Sequence, residues 1–226
     1  NTVRSLFSGP QPVTTATIKQ AVRYTEQLSA DGGTEVLPAL RQALKSPVDN
    51  ARLQQIILLT DGQVGNEDEL FELLHQRVGT RRLFTIGIGS TPNSHLMRKA
   101  AEFGRGTFTY IGKVDEVKDK LDSLFKKLER PVLSDITIDS AGWSGLEQYP
   151  AKIADLYEGE PIVLALKAGS LPAQARLQGR TGNHPWSLPV SLQNPATRGG
   201  LSVYWARQKI SALMDEAFKG TVEETV

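Results

Sequence analysis

Gln54 to Leu74 reads QQIILLTDGQVGNEDELFELL: the apolar run Ile56–Leu59, then Thr60-Asp61-Gly62, then a helix pattern opening on Glu67, Asp68 and Glu69. A short apolar run flanked by turn residues is a strand buried on both faces, as parallel strands are. Asn66 stands where a helix cap is expected, and three acids in the first turn favour the helix dipole. Leu70, Leu73, Leu74 and Val78 supply the inner face. Strand, carboxylate and helix in that order predict a strand–helix unit of an α/β sheet, with Asp61 at the carboxyl end of its strand.

The same alternation extends on both sides. Upstream, Val3–Phe7 reads as a short strand closed by Gly9-Pro10-Gln11-Pro12. Thr14-Thr15 can cap a helix carrying Ile18, Val22, Thr25 and Leu28, and a second helix after Gly32-Gly33-Thr34 carries Leu37, Leu40 and Leu44 and ends at Pro47. Downstream, Leu83–Ile88 is a strand, Asn93 or Ser94 caps a helix through Phe103, and Thr107–Ile111 is a further strand. Val114, Val117, Leu121, Leu124, Phe125 and Leu128 mark an amphipathic helix stopped by Pro131. Beyond it the period changes. Ile136–Ile138, Ile162–Leu166, Ala175–Leu177 and Leu188–Leu192 read as short strands between Gly, Pro and Asn turns. A last helix carries Trp205, Ile210, Leu213, Met214 and Phe218, a set that core packing explains better than an interaction surface does. The expected organisation is an α/β unit over residues 1–130 and a β-rich unit with a C-terminal helix over 131–226.

Composition limits the function. The chain has 226 residues, 39% apolar and 23% charged, as soluble globular proteins have. Its 26 basic and 25 acidic residues give a net charge of +1, which recommends no nucleic acid or anionic membrane as partner. The basic pairs Arg81-Arg82 and Lys126-Lys127 read as solvated surface. No apolar run reaches membrane-spanning length. With no cysteine there is neither a disulfide framework nor a thiolate site. His75, His95 and His184 lack metal spacing and read as surface or satisfied residues, and Trp143, Trp186 and Trp205 as packing residues. The chain opens at Asn1 without a methionine, as an excerpt or processed product would.

In open α/β sheets ligands bind beyond the carboxyl ends of the strands, where Asp61 stands. If the second helix packs beside Ile56–Thr60, Thr34 lies at the same edge, and a hydroxyl with a carboxylate suits a hard cation such as Mg²⁺. Read as a turn, Asp61 is only the acid before Gly62, and Thr34 only a helix cap.

GGTEVLPAL (Gly32–Leu40) followed by IILLTDGQVGNE (Ile56–Glu67) resembles the von Willebrand factor type A domain, in the version of bacterial proteins related to inter-alpha-trypsin inhibitor heavy chains. RLFTIGIGSTPN (Arg82–Asn93), MRKAAEFGRGTFTYIG (Met97–Gly112) and LFKKLERP (Leu124–Pro131) are similar to that family's later elements. QYPAKIADLYEGEPIVLALK (Gln148–Lys167) and VYWARQKISALMDE (Val203–Glu216) are similar to the segment that follows. The resemblance implies a doubly wound, mostly parallel, Rossmann-like sheet. It also implies a metal-ion-dependent adhesion site of three parts. Thr34 and Asp61 match two; the Asp-x-Ser-x-Ser loop is not in the chain, and the family's first strands fall before Asn1.

The expected function is a non-catalytic module for protein or matrix adhesion at a bacterial envelope or cell surface, or secreted, with Mg²⁺ bound in the intact family site but weakly or not at all here. The unpaired edge of Ile56–Thr60 is expected to pair with a second copy. The alternative is a Mg²⁺-dependent enzyme using Asp61 for phosphoryl transfer or hydrolysis. Against it, no second acid stands two residues away, no Gly-x-Ser-x-Gly or Gly-x-x-x-x-Gly-Lys occurs, and Gly87-Ile88-Gly89 lacks a third glycine at nucleotide-binding spacing.

Overall fold

A computed structural model of the chain describes residues 3–29, 33, 35–48, 52–61, 65–89, 92–129, 133–157, 159–170, 172–182, 184–193 and 199–217. The elements run α1 (Thr15–Glu26), α2 (Val36–Ala43), β1 (Gln55–Thr60), α3 (Glu67–Arg77), β2 (Arg82–Ile88), α4 (Ser94–Phe103), β3 (Arg105–Ile111) and α5 (Val117–Glu129). Then come β4 (Ser134–Asp139), β5 (Glu147–Tyr149), β6 (Ala165–Lys167), β7 (Gln174–Thr181), β8 (His184–Ser191) and α6 (Leu201–Ala217).

Strands β1, β2 and β3 form a parallel sheet in that order, with Thr60 beside Gly87 and Ile88 beside Ile111. The central strand decides the layering, because its side chains alternate between two cores. Leu83 enters one core with Leu40 of α2, Leu70 and Leu74 of α3, and Leu96 and Ala100 of α4. Phe84 and Ile86 enter the other with Ile111 of β3 and Leu124 and Leu128 of α5. Thr85 is buried too, and its hydroxyl donates to the Met97 carbonyl at 2.7 Å. Helices on both faces of a parallel sheet are the doubly wound α/β arrangement expected.

Two glycines set how closely β3 meets β2. A Cβ on Gly106 would lie 2.2 Å from the Leu83 carbonyl oxygen, and one on Gly104 2.3 Å from Leu83 Cβ. Arg105 between them takes a positive φ of 53°, where the β2–β3 register shifts.

Several expectations are corrected. Val3–Phe7 forms no strand; it is bent and largely exposed. Helix α1 forms, and Thr14 caps it through reciprocal bonds with Thr17, yet it buries no side chain, and Ile18, Val22 and Leu28 face outward. Asn66 precedes α3 in a left-handed conformation and makes no side-chain cap, whereas Asn93 caps α4 by accepting from the Leu96 amide. Val114 lies in an exposed 3-10 turn and Phe125 on the outer side of α5. Strand β6 is confined to Ala165–Lys167, and Ile162 and Leu164 pack without strand pairing against Leu133, Ile136 and Ile153. The three tryptophans are half-buried.

The segment after α5 is bound into the α/β unit. Strands β4, β7 and β8 make an antiparallel sheet, and β5 and β6 a two-stranded one on which α6 lies. Between them Ile153, Asp155 and Tyr157 all point inward, and Tyr157 completes the second core by meeting Phe84 edge-on at 5.6 Å.

Helix α6 contradicts its expected role. Ile210, Leu213 and Met214 are 57%, 54% and 62% exposed, so they are not core residues; Phe218 lies outside the described residues. Its docked side uses Trp205, edge-on to Tyr149, with Lys167 and Lys209 over the indole and Lys209 donating to Glu147 at 2.6 Å. The hydrogen bond from Lys209 holds the Glu147 carboxyl below its usual range, and Glu147 in turn raises Lys209. A depressed acid stabilises above its unfolded pKa and loses that as pH falls through its folded one. A raised base stabilises below its unfolded pKa and loses that as pH rises through its folded one. Docking of α6 is therefore expected to be firmest between the carboxylate and ammonium ranges. Trp205 fluorescence should change on acidification below the ordinary carboxylate range, and Glu147→Gln should remove that step; an identical acid transition in the variant would rule the pair out as its cause.

Candidate functional site

The carboxyl edge of the parallel sheet is built from the ends of β1, β2 and β3 and the starts of α3 and α4. Asp61 follows the last residue of β1 directly and is exposed. Next to β1, strand β2 ends before Gly89, whose amide donates to the Ile111 carbonyl at 2.9 Å and whose own carbonyl accepts from the Tyr110 hydroxyl at 2.9 Å. These bonds fix Gly89 to the end of β3.

The two helix starts are joined as well. Asn93 accepts from the Leu96 amide at 3.1 Å and donates through its side-chain amide to Glu67 Oε1 at 2.5 Å. Glu67 thereby serves as a structural acceptor through Oε1. Glycine is needed at Gly87 under this rim, since a Cβ there would meet Pro92 at 2.9 Å and the Phe108 ring at 3.2 Å.

Asp61 is thus where its place in the sequence predicts. Thr34, Asp31 and Ser90 lie outside the described residues. Helix α2, which starts just after Thr34, does pack on α3 through Val36 and Leu40. Among the described residues no group of three or more His, Cys, Asp or Glu side chains could hold a metal ion. His75 packs edge-on to Phe103 at 4.3 Å, and His95 and His184 are exposed.

At the opposite edge, where the strands begin, lies a charged cluster that overturns the reading of Arg81-Arg82 as solvated surface, since both are buried at 4% and 3% exposure. Arg82 Nε and Nη2 donate to the two oxygens of Asp155 at 2.5 and 3.0 Å, and both side chains are almost wholly buried. Asp135 stands 3.7 Å from Arg82 and 3.3 Å from Arg105. Burial pushes the Asp155 carboxyl above its usual range while the Arg82 guanidinium pulls it down. Burial also lowers Arg105, helped by the like charge of Arg82. A signal existed in the sequence: Ile153, Asp155 and Tyr157 share a period of two, so an acid sits in an inward-facing position between two apolar residues.

Residues 1–110 match the family described as von Willebrand factor type A domain. A von Willebrand factor A domain-containing protein of Dictyostelium discoideum is 30% identical over 183 residues, 78% of this chain and 20% of that protein. The von Willebrand factor A domain-containing protein 5B1 of Homo sapiens is 26% identical over 166 residues, 72% of this chain and 14% of that protein. The chain spans about a fifth or less of the length of these curated relatives. Among solved structures, a von Willebrand factor type A protein from Catenulispora acidiphila shares the fold with a TM-score of 0.53 at 17% identity, covering 88% of this chain and 57% of that one.

Proposed function

The N-terminal half of the chain carries a von Willebrand factor type A domain, and from that premise we propose that it is a non-catalytic module for protein or matrix adhesion that engages its partner at the Asp61 edge. Such domains serve generally in protein interaction. The observation that carries the reading is the exposed carboxylate at the carboxyl end of β1, on a rim held rigid by the Asn93–Glu67 and Tyr110–Gly89 bonds. Rigid presentation of a few polar groups is how a scaffold keeps the entropic cost of binding low.

A likeness to inter-alpha-trypsin inhibitor heavy chain-like proteins of bacteria, and a place at the envelope, on the surface or in secretion, belong to the same proposal. Their support is the sequence resemblance that runs on past the matched residues. Residues 131–226 are proposed as a second, β-rich unit that serves the first as a docked support. Among the described residues no helix is long and apolar enough to cross a membrane.

In the intact family site a divalent ion would be held by the Asp-x-Ser-x-Ser loop together with the positions that Thr34 and Asp61 match, and completed by an acid of the partner. For this chain, calorimetry is expected to give Mg²⁺ binding no tighter than millimolar, and no Mg²⁺-dependent phosphatase or ATPase turnover that Asp61→Ala removes. Submillimolar binding abolished by Asp61→Ala would defeat the metal reading, and turnover abolished by it would favour the enzyme alternative.

The partner surface extends to β1. Among the described residues β1 pairs only with β2, and Leu59, two residues before Asp61, is 51% exposed. A bare apolar edge recruits strands. The chain is proposed to pair across β1 with a second copy, giving a dimer in sedimentation at micromolar concentration. A monomer with slow amide exchange along Ile56–Leu59 would mean that the edge is covered within the chain.

A further inference from the structure

Among the described residues three that are not glycine have a positive φ, Asn66, Arg105 and Asp135, and two of them, at 53° and 52°, meet in one ion pair. A left-handed backbone is unfavourable for a residue with a side chain, and where it persists it marks a position that the surroundings fix. Arg105 and Asp135 lie in a groove between the start of β3, strand β4 and the segment 148–153. The groove opens at the starting edge of the sheet, away from Asp61. It holds about 460 Å³, within the roughly 300–1,000 Å³ of small-molecule sites, so it admits more than a bare ion.

Arg105 is poorly satisfied for a guanidinium so little exposed. Its side chain is 17% exposed, yet Nη1 donates to Asp135 at 3.3 Å and Nη2 to the Gly79 carbonyl at 3.4 Å, both longer than the usual N–H···O distance of about 2.9 Å. A guanidinium carries five N–H donors, so the other three have no protein partner among the described residues. Arg82 beside it differs, because its Nε and Nη2 both engage Asp155. Donors taken from water without an acceptor cost free energy. Burial, with the like charge of Arg82, holds Arg105 below its usual range, as expected of a cation short of negative partners.

The charges lining the groove are Arg105 and Lys152 against Asp135, two cations and one carboxylate, an excess of one positive charge. Lys152 is exposed and makes no ion pair with another described residue. Behind the groove the buried Arg82–Asp155 pair balances itself. Asp135 divides its carboxylate between Arg105 and Arg82 and is half exposed, so water screens it. Thr137 adds a hydroxyl to the lining. Gln148 donates its side-chain amide to the Pro150 and Ala151 carbonyls and keeps its oxygen as an acceptor.

We propose that this groove is a binding site for a small molecule carrying one oxyanion, a carboxylate or a phosphate ester, received by the remaining N–H groups of Arg105 with Lys152 at the rim. The planar fork of a guanidinium pairs with two oxygens of either group at once. Partial burial strengthens that pairing relative to an open surface. Asp135 is the internal competitor, since the ligand shares Arg105 with it.

The test is an NMR titration of the 226-residue chain with sodium acetate and with sodium phosphate, against sodium chloride at the same ionic strength, read at the backbone amides of Arg105, Thr137 and Lys152. Saturable shifts with a Kd of about 1–10 mM are expected for acetate, phosphate or both, and none for chloride; the tighter of the two identifies the oxyanion preferred. Arg105→Gln should weaken binding at least about tenfold, the loss of one charge-assisted pairing, and Lys152→Ala about two- to threefold. Asp135→Asn separates a site from a structural ion pair. Asparagine tolerates the left-handed backbone and removes the competing charge, so this variant should bind the oxyanion several-fold more tightly. If Arg105→Gln does not fold, Asp135→Asn and Lys152→Ala decide the question. Shifts no larger than those with chloride, unchanged binding in Arg105→Gln, or no gain in Asp135→Asn would each overturn the proposal.

Discussion

Replacing Asp155 with alanine is expected to cost about 3–5 kcal/mol of folding stability, because it leaves the buried Arg82 guanidinium without its carboxylate. The pair is bidentate, with the Arg82 side chain 3% and the Asp155 side chain 0% exposed. Arg82 also donates to the Thr80 carbonyl at 2.6 Å, but a neutral acceptor cannot balance a desolvated charge. Asp135, at 3.7 Å from Arg82 and itself half exposed, offsets part of the loss, so the lower end of the range is expected. Urea unfolding gives the value directly, as a lower midpoint at unchanged slope. The double variant Arg82→Met with Asp155→Leu should recover most of it, since an apolar pair of similar volume avoids the desolvation penalty. A loss below about 1 kcal/mol in Asp155→Ala, the range of surface pairs, would mean that the segment around Asp155 does not hold to the sheet in solution.

The second large effect separates the ring of Tyr157 from its hydroxyl. The ring is fully buried among Phe84, Ile86, Ile111 and Leu124, and Tyr157→Ala is expected to cost about 3–5 kcal/mol by opening a cavity there. The hydroxyl is buried and has no hydrogen-bond partner among the described residues. Burial, with the Asp155 carboxylate adding to it, keeps that phenol well above its usual range and so neutral. Tyr157→Phe is therefore expected to be neutral or stabilising, by up to about 1 kcal/mol, since it removes a polar group that folding strips of water without replacement. A clear destabilisation by Tyr157→Phe would show that the hydroxyl finds a partner, such as an ordered water.

Both residues lie after α5, yet both act on the parallel sheet. Removing residues 131–226 would take the Tyr157 ring from Phe84 and the Asp155 and Asp135 carboxylates from Arg82, so the α/β unit depends on the segment that follows it.

The local sequence determined most of the α/β half. The apolar runs of β1 and β2, the helical spacing of Leu70, Leu73 and Leu74, and the breakers between them mark elements whose existence depends on neighbours a few residues away. The position of Asp61 follows from the same order, because a carboxylate placed directly after a buried parallel strand must emerge at its carboxyl end. Periodicity also showed that α1 and α6 are helices with apolar positions. It could not show what those positions face: Ile18 and Val22 of α1 and Ile210 and Leu213 of α6 are exposed, because burial depends on a partner surface and the pattern names none. Tertiary structure alone decided the pairing of Arg82 with Asp155, 73 residues apart, the entry of Tyr157 into the second core, and the meeting of Lys99 with Ser211 across 112 residues. Each is a contact between elements whose local signals are complete without it. What brings them together is the closing of two layers over the starting edge of the sheet, and that geometry is set by the packing of the whole chain.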